Sequence, residues 1–168
     1  SRLDVGIVRD KFGVPHIFGK TDADVAYGLA WANAEDDFET IQSVYLAGSS
    51  ILSKRLGNKG IGADFLSQFI GSSELFDSLY EKKISPEYKK IIQAYANGLN
   101  SYAKKYPEEI LISELFPITP KKMMLYAQLQ LFISSRGDYW IKKILDGDIR
   151  YEVNFSNDRG SNAFAFNS

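Results

Sequence analysis

Strand-like alternation occurs only at the two ends of this 168-residue sequence, and almost everything between reads as helix. Residues 3–9, L-D-V-G-I-V-R, alternate apolar and polar as a half-buried strand does. D-K-F-G-V-P then reads as a turn and H-I-F as a second strand, together an N-terminal hairpin. At the other end Ser161 opens the alternating run N-A-F-A-F. A hairpin and one distant strand do not close a sheet, and an incomplete sheet buries its apolar face only against more chain. The expected fold is therefore α+β, mostly helical, and part of something larger.

The helices announce themselves by their start signals. Thr21 is a good N-cap with Asp22 and Asp24 in the first turn, where the helix dipole favours negative charge. The Ala-rich stretch that follows carries Val25, Leu29, Phe38, Ile41 and Tyr45, and predicts one long helix to about residue 46, ended near Gly48. Its acidic run Glu35-Asp36-Asp37 lacks a spaced partner and reads as a salt-bridged or solvated face. Short helices are expected at 64–70 and 73–80. Ser85-Pro86-Glu87 opens another to about residue 105, with Ile91, Tyr95, Leu99 and Tyr102 at helical spacing. Thr119-Pro120 repeats the device, with Met123, Ala127 and Leu131 on one stripe; that helix runs to about Ser134 and resumes across 138–145.

Composition excludes several function classes. The 20 basic and 21 acidic residues nearly cancel, leaving no electrostatic footprint for nucleic acid or an anionic membrane. The Lys-Lys pairs read mostly as solvated helix faces. No apolar run approaches the roughly 18–20 residues needed to span a bilayer. Without cysteine there is neither a disulfide nor a thiolate metal site, and a single histidine, His16, rules out a multi-histidine centre within these residues. His16 itself, lone and preceded by proline, fits a structural role better than membership of a triad.

Several ordered segments carry a family resemblance. R-D-K-F-G-V-P-H-I-F, Y-G-L-A-W-A-N-A-E-D-D-F, K-I-S-P-E-Y-K-K-I-I-Q-A-Y-A-N-G-L-N-S-Y with its Tyr-x-x-Gly-x-Asn element, I-T-P-K-K-M-M and R-G-S-N-A-F-A-F follow one another along nearly the whole chain. Together they resemble the penicillin acylase family of N-terminal-nucleophile hydrolases, most nearly its acyl-homoserine-lactone and aculeacin acylase branch. The resemblance implies an exported precursor that cuts itself into a smaller α chain and a larger β chain beginning with a catalytic serine. Here residues 1–160 would correspond to the α chain with its connecting segment, and 161–168 to the first strand of the β chain. The implied fold is a four-layer αββα sandwich built largely by the β chain, which would be this chain's partner. The implied substrate is a small acylated amide, and the implied location is the periplasm or the exterior.

The resemblance also assigns roles. Gly160 and Ser161 would form the autoprocessing junction, and Ser161 the nucleophile. An ordinary serine hydroxyl needs a base within reach. A terminal serine brings its own α-amine, with a reference pKa of about 7.7–8.0, which a peptide nitrogen cannot replace. On those few residues alone, Gly160-Ser161 also reads as a turn opening an ordinary strand. Arg136, Phe132 and Ile133 match positions bordering the acyl pocket, and core packing or a helix-end contact is the competing role for each. Some relatives place a calcium-binding Glu where Lys142 and Lys143 stand, so no metal or other cofactor is expected. That departure, with no separate base in the chain, leaves a rival expectation: a non-catalytic helical scaffold of the same family.

Overall fold

A computed structural model describes residues 4–71, 73–137, 139, 142, 143 and 146. Ser1–Ser135 form one unit and Arg136–Ser168 a second. Strands β1 (Val5–Arg9) and β2 (Pro15–Gly19) pair antiparallel, with Val5 opposite Gly19 and Arg9 opposite Pro15. Asp10 makes the turn between them: its Oδ1 accepts the backbone N–H groups of Phe12 at 2.8 Å and Val14 at 3.0 Å.

Helix α1 (Asp22–Gly48) starts as expected. Thr21 and Asp24 form a reciprocal capping box, and Asp24 also accepts the Asp4 N–H at 3.1 Å, tying the hairpin to the helix start. The Thr21 hydroxyl, then the Asp4 N–H, hold the Asp24 carboxyl below its ordinary pKa. The acidic run does what neither a helix-interior nor a metal-site reading foresees. Asp37 leaves helical geometry (φ −160, ψ 77) and its Oδ1 accepts the Thr40 N–H at 3.0 Å, so it caps the second half of a kinked α1.

The second half of α1 buries the expected face: Phe38 and Tyr45 are buried and Ile41 packs against the core. In the first half Val25 and Leu29 are exposed, and Ala26, Ala30 and Ala34 are buried instead. Close approach is the reason. A Cβ on Gly28 would lie 2.5 Å from Val5 Cγ2 and 2.7 Å from Ile17 Cγ2 of the hairpin. Only small residues fit on that side, and the larger apolar ones turn away.

Four further helices follow: α2 (Ser53–Leu56), α3 (Asn58–Ile70), α4 (Ser73–Lys83) and α5 (Pro86–Lys105). Helix α3 begins six residues before the expected 64–70. In α5 the expected Leu99 and Tyr102 are buried together with Ile92, Ala96 and Ala103, while the expected Ile91 and Tyr95 are half-buried. Its crossing with α1 is tight, since a Cβ on Gly98 would lie 2.5 Å from the Tyr27 carbonyl oxygen. The core joins Phe38, Tyr45 and Leu46 of α1 to Leu99 and Tyr102 of α5. Tyr102 takes edge contacts from Phe38 at 4.9 Å and Trp31 at 5.4 Å, and burial pushes its hydroxyl pKa up to about 12.

Between α5 and α6 (Pro120–Ser134) the chain makes a strap with short 3-10 turns at Pro107–Glu109 and Ser113–Leu115. Its Leu115 and Ile118 complete the core. Side chains from three helices pin it. Gln42 donates to the Glu109 carbonyl at 2.9 Å and accepts the Leu111 N–H at 2.8 Å. Asn100 donates to the Ile118 carbonyl at 2.8 Å and accepts its N–H at 2.7 Å. Lys122 donates to the carbonyls of Leu115 and Pro117. Lys122 is thus the exception among the Lys pairs, and its desolvation lowers the ammonium pKa.

Helix α6 is apolar nearly all round. Of the expected Met123, Ala127 and Leu131 stripe, Met123 packs against the core, whereas Ala127 and Leu131 are exposed and Leu129 is buried. Of the expected continuation at 138–145, Tyr139, Lys142 and Lys143 are described and helical. Among the described residues the chain is mostly helical with one two-stranded sheet, the α+β arrangement expected.

Candidate functional site

The motif residues can be located one by one. Arg9 at the end of β1 reaches α1, where its guanidinium pairs with Asp36 at 2.8 Å and Glu35 at 3.2 Å and also donates to the Gly13 carbonyl at 2.8 Å. These carboxylates hold the Arg9 pKa above its ordinary value, Asp36 contributing most. The acidic run is therefore a clamp that fixes the hairpin turn against α1. Glu35 Oε1 also accepts the Trp31 Nε1–H at 2.8 Å. His16 lies in the same corner, exposed, with Nε2 3.3 Å from Asp10 Oδ2. Its neighbour is a carboxylate already occupied by the turn, a structural setting.

The Tyr-x-x-Gly-x-Asn element also resolves into contacts. Tyr95 OH accepts from Asn33 Nδ2 at 3.0 Å, Gly98 allows the α1 crossing, and Asn100 holds the strap. Each residue of the element joins α5 to another part of the unit, and none is left free to react.

Phe132 and Ile133 sit at the end of α6, Phe132 half-buried and Ile133 exposed. As consecutive helical residues they point about 100° apart, so the described surface does not gather both on one face. Arg136, in the second unit, is exposed with φ +62, and its guanidinium lies 4.7 Å above the Tyr139 ring. That backbone region ordinarily favours glycine. Gly160 and Ser161 lie outside the described residues.

A cleft of about 1100 Å³ opens at the base of the hairpin, lined by Asp4, Lys20, Asp22, Asp24, Glu87 and Lys90 among others. Neither Phe132 nor Ile133 lines it. Asp4 pairs with Lys20 at 2.8 Å and Asp24 serves the cap, so these three charges are already engaged. Lys142 and Lys143 stand in the region where the resemblance would place a calcium-binding Glu, and the described residues contain no cluster of acidic or histidine side chains able to hold a metal ion. What the described residues form is a packed frame held by buried side-chain hydrogen bonds.

A model of the penicillin amidase family matches residues 4–167. The chain belongs to that family. Among curated proteins, this penicillin amidase family chain is 25% identical over 145 residues to penicillin G acylase of Escherichia coli, covering 82% of the chain and 17% of the relative. It is 27% identical over 107 residues to acyl-homoserine lactone acylase QuiP of Pseudomonas fluorescens, covering 64% of the chain and 13% of the relative. The matched part is thus about a sixth or less of the length of these bacterial relatives. A solved thermostable penicillin G acylase from Alcaligenes faecalis shares the fold, with a TM-score of 0.69 at 16% identity, over 100% of both chains. Among the described residues, no helix is long and apolar enough to cross a membrane.

Proposed function

We propose that this chain is the N-terminal portion of a self-processing acylase, a hydrolase that removes an acyl side chain from an amine, β-lactam or homoserine-lactone type core. The observation that carries the reading is the extent of the family match, which runs through the Gly160–Ser161 junction to residue 167. A pair of coverages supports the two-chain form. The Alcaligenes chain is matched along its whole length by this fold, whereas only 17% of the E. coli relative is matched, as a cut product and its precursor would be.

In this reading residues 1–160 are the α chain with its connecting segment, and the β chain begins at Ser161. The Ser161 hydroxyl attacks the Gly160 carbonyl carbon and the peptide C–N bond breaks, giving an ester and a free α-amine. Water then hydrolyses the ester, leaving a Gly160 carboxylate. Cutting creates base and nucleophile together. In turnover the α-amine takes the hydroxyl proton, the oxygen attacks the substrate amide carbon, and the proton passes to the departing amine. Water hydrolyses the acyl ester and restores Ser161. Arg136 orients the substrate, and Phe132 and Ile133 border the acyl group. The β chain supplies the remaining strands, covering a hairpin whose outward Val8 and Phe18 are exposed. The relatives' names support an acylated small-molecule substrate, and the reading places the mature enzyme in the periplasm or outside the cell.

The test is amine release from N-acylated substrates by the full-length protein. Ser161→Ala should lower it by at least roughly a thousandfold. Undiminished release by that variant would refute the assignment.

A further inference from the structure

Helix α3 is set into the fold with its polarity inverted. Its buried positions are Gly60, Asp64 and Ser67. Ile61, Phe65 and Phe69, four residues apart along one stripe, are 54%, 59% and 68% exposed. Phe65 and Phe69 stack with ring centroids 6.3 Å apart. After Lys59 the helix has one charged residue, Asp64, and it points inward.

This rotation is fixed by buried hydrogen bonds. Asp64 accepts the backbone N–H groups of Leu52 at 2.7 Å and Ser53 at 2.9 Å, and Ser67 donates to the Gly48 carbonyl at 3.0 Å. Turning α3 to hide its phenyl rings would strip those bonds and leave buried polar groups unpaired. The apolar stripe is therefore presented permanently, and a contiguous apolar surface of this kind marks an interaction site.

We propose that the Ile61–Phe65–Phe69 stripe is a packing surface for the remainder of the same protein, the second chain of the reading above, on which this inference rests. Two observations select that occupant. The curated relatives carry more than four-fifths of their length outside the matched part, so a partner of ample size comes with the protein itself. The stripe is also free of charge, as the centre of a permanent interface is. A helix lying on a membrane would flank such a stripe with available cations. Here the nearby Lys54 and Arg55 are engaged by Glu114 and Glu39, and Lys59 at the start of α3 lies about 160° round the helix from Ile61.

Thiol labelling tests the surface directly, because these 168 residues contain no cysteine. Phe65→Cys, Phe69→Cys and the gentler Gln68→Cys, at an exposed polar position of α3, are made in the full-length protein. Maleimide incorporation at each position is followed by peptide mass spectrometry. Labelling in native protein at least tenfold slower than in denatured protein is expected, unchanged on tenfold dilution, in a particle holding one copy of each chain. Native labelling at the denatured rate overturns the proposal. So does protection that needs a second copy, seen as loss on dilution or a doubled particle mass, or protection gained only with lipid vesicles. Labelling needs no turnover, so failure in a cut and active protein removes this surface alone, whereas an uncut, inactive protein removes the acylase reading.

Discussion

Gln42 holds more of this unit together than its place in the sequence announces. It is fully buried, and its amide serves the Phe38 and Glu109 carbonyls and the Leu111 N–H. One side chain thereby fixes a loop nearly seventy residues away in sequence. Gln42→Leu leaves the Glu109 and Leu111 groups without that partner, at a cost of about 1–3 kcal/mol for each buried polar group left unpaired. Hydrogen exchange at 107–112 should speed up by tenfold or more while α5 stays protected; unchanged exchange there would show that the strap holds without it. Nothing local marks a glutamine for this task, because its partners are backbone groups of a loop without periodicity. Thr21, Ser85 and Thr119 were legible because a cap is a local device: each accepts an N–H three residues on, as predicted. The left-handed backbone of Arg136 carries no such local signal.

At the scale of elements, periodicity identified α1, α5 and α6 while placing only part of the faces they bury: Phe38, Tyr45, Leu99 and Tyr102 are inside as expected. The reason is the same in α1 and α5: where two helices cross closely, small residues win the inside. Val25 and Leu29 therefore turn outward, and Gly98 lies against the Tyr27 carbonyl. Gly98→Ala should destabilise the unit by about 1–3 kcal/mol, because the backbone oxygen cannot yield as a side chain would. Thermal unfolding measures it, and a variant as stable as the parent would show that the crossing has slack. Helix α3 is the sharpest failure of the periodicity rule. Its phenylalanines follow a helical stripe, yet its carboxylate and hydroxyl take the interior. No single-helix pattern discloses that choice, which depends on the orphan N–H groups of residues 52 and 53.

For the whole molecule, the N-terminal hairpin and the helices that follow it were readable from the sequence, while the strand expected at 161–168 lies outside the described residues. The sheet has two strands among the described residues, with Val8 and Phe18 facing outward on an unpartnered side. Such a ribbon is marginal alone. In the proposed reading a second chain starts at the Gly160-Ser161 junction, and the described residues supply the frame that packs beside it. The account therefore turns on one covalent event. Intact mass measurement of the full-length protein should find two chains, the second beginning at Ser161, and a single uncut chain for Ser161→Ala. A single intact chain that releases amine at the full rate would contradict it.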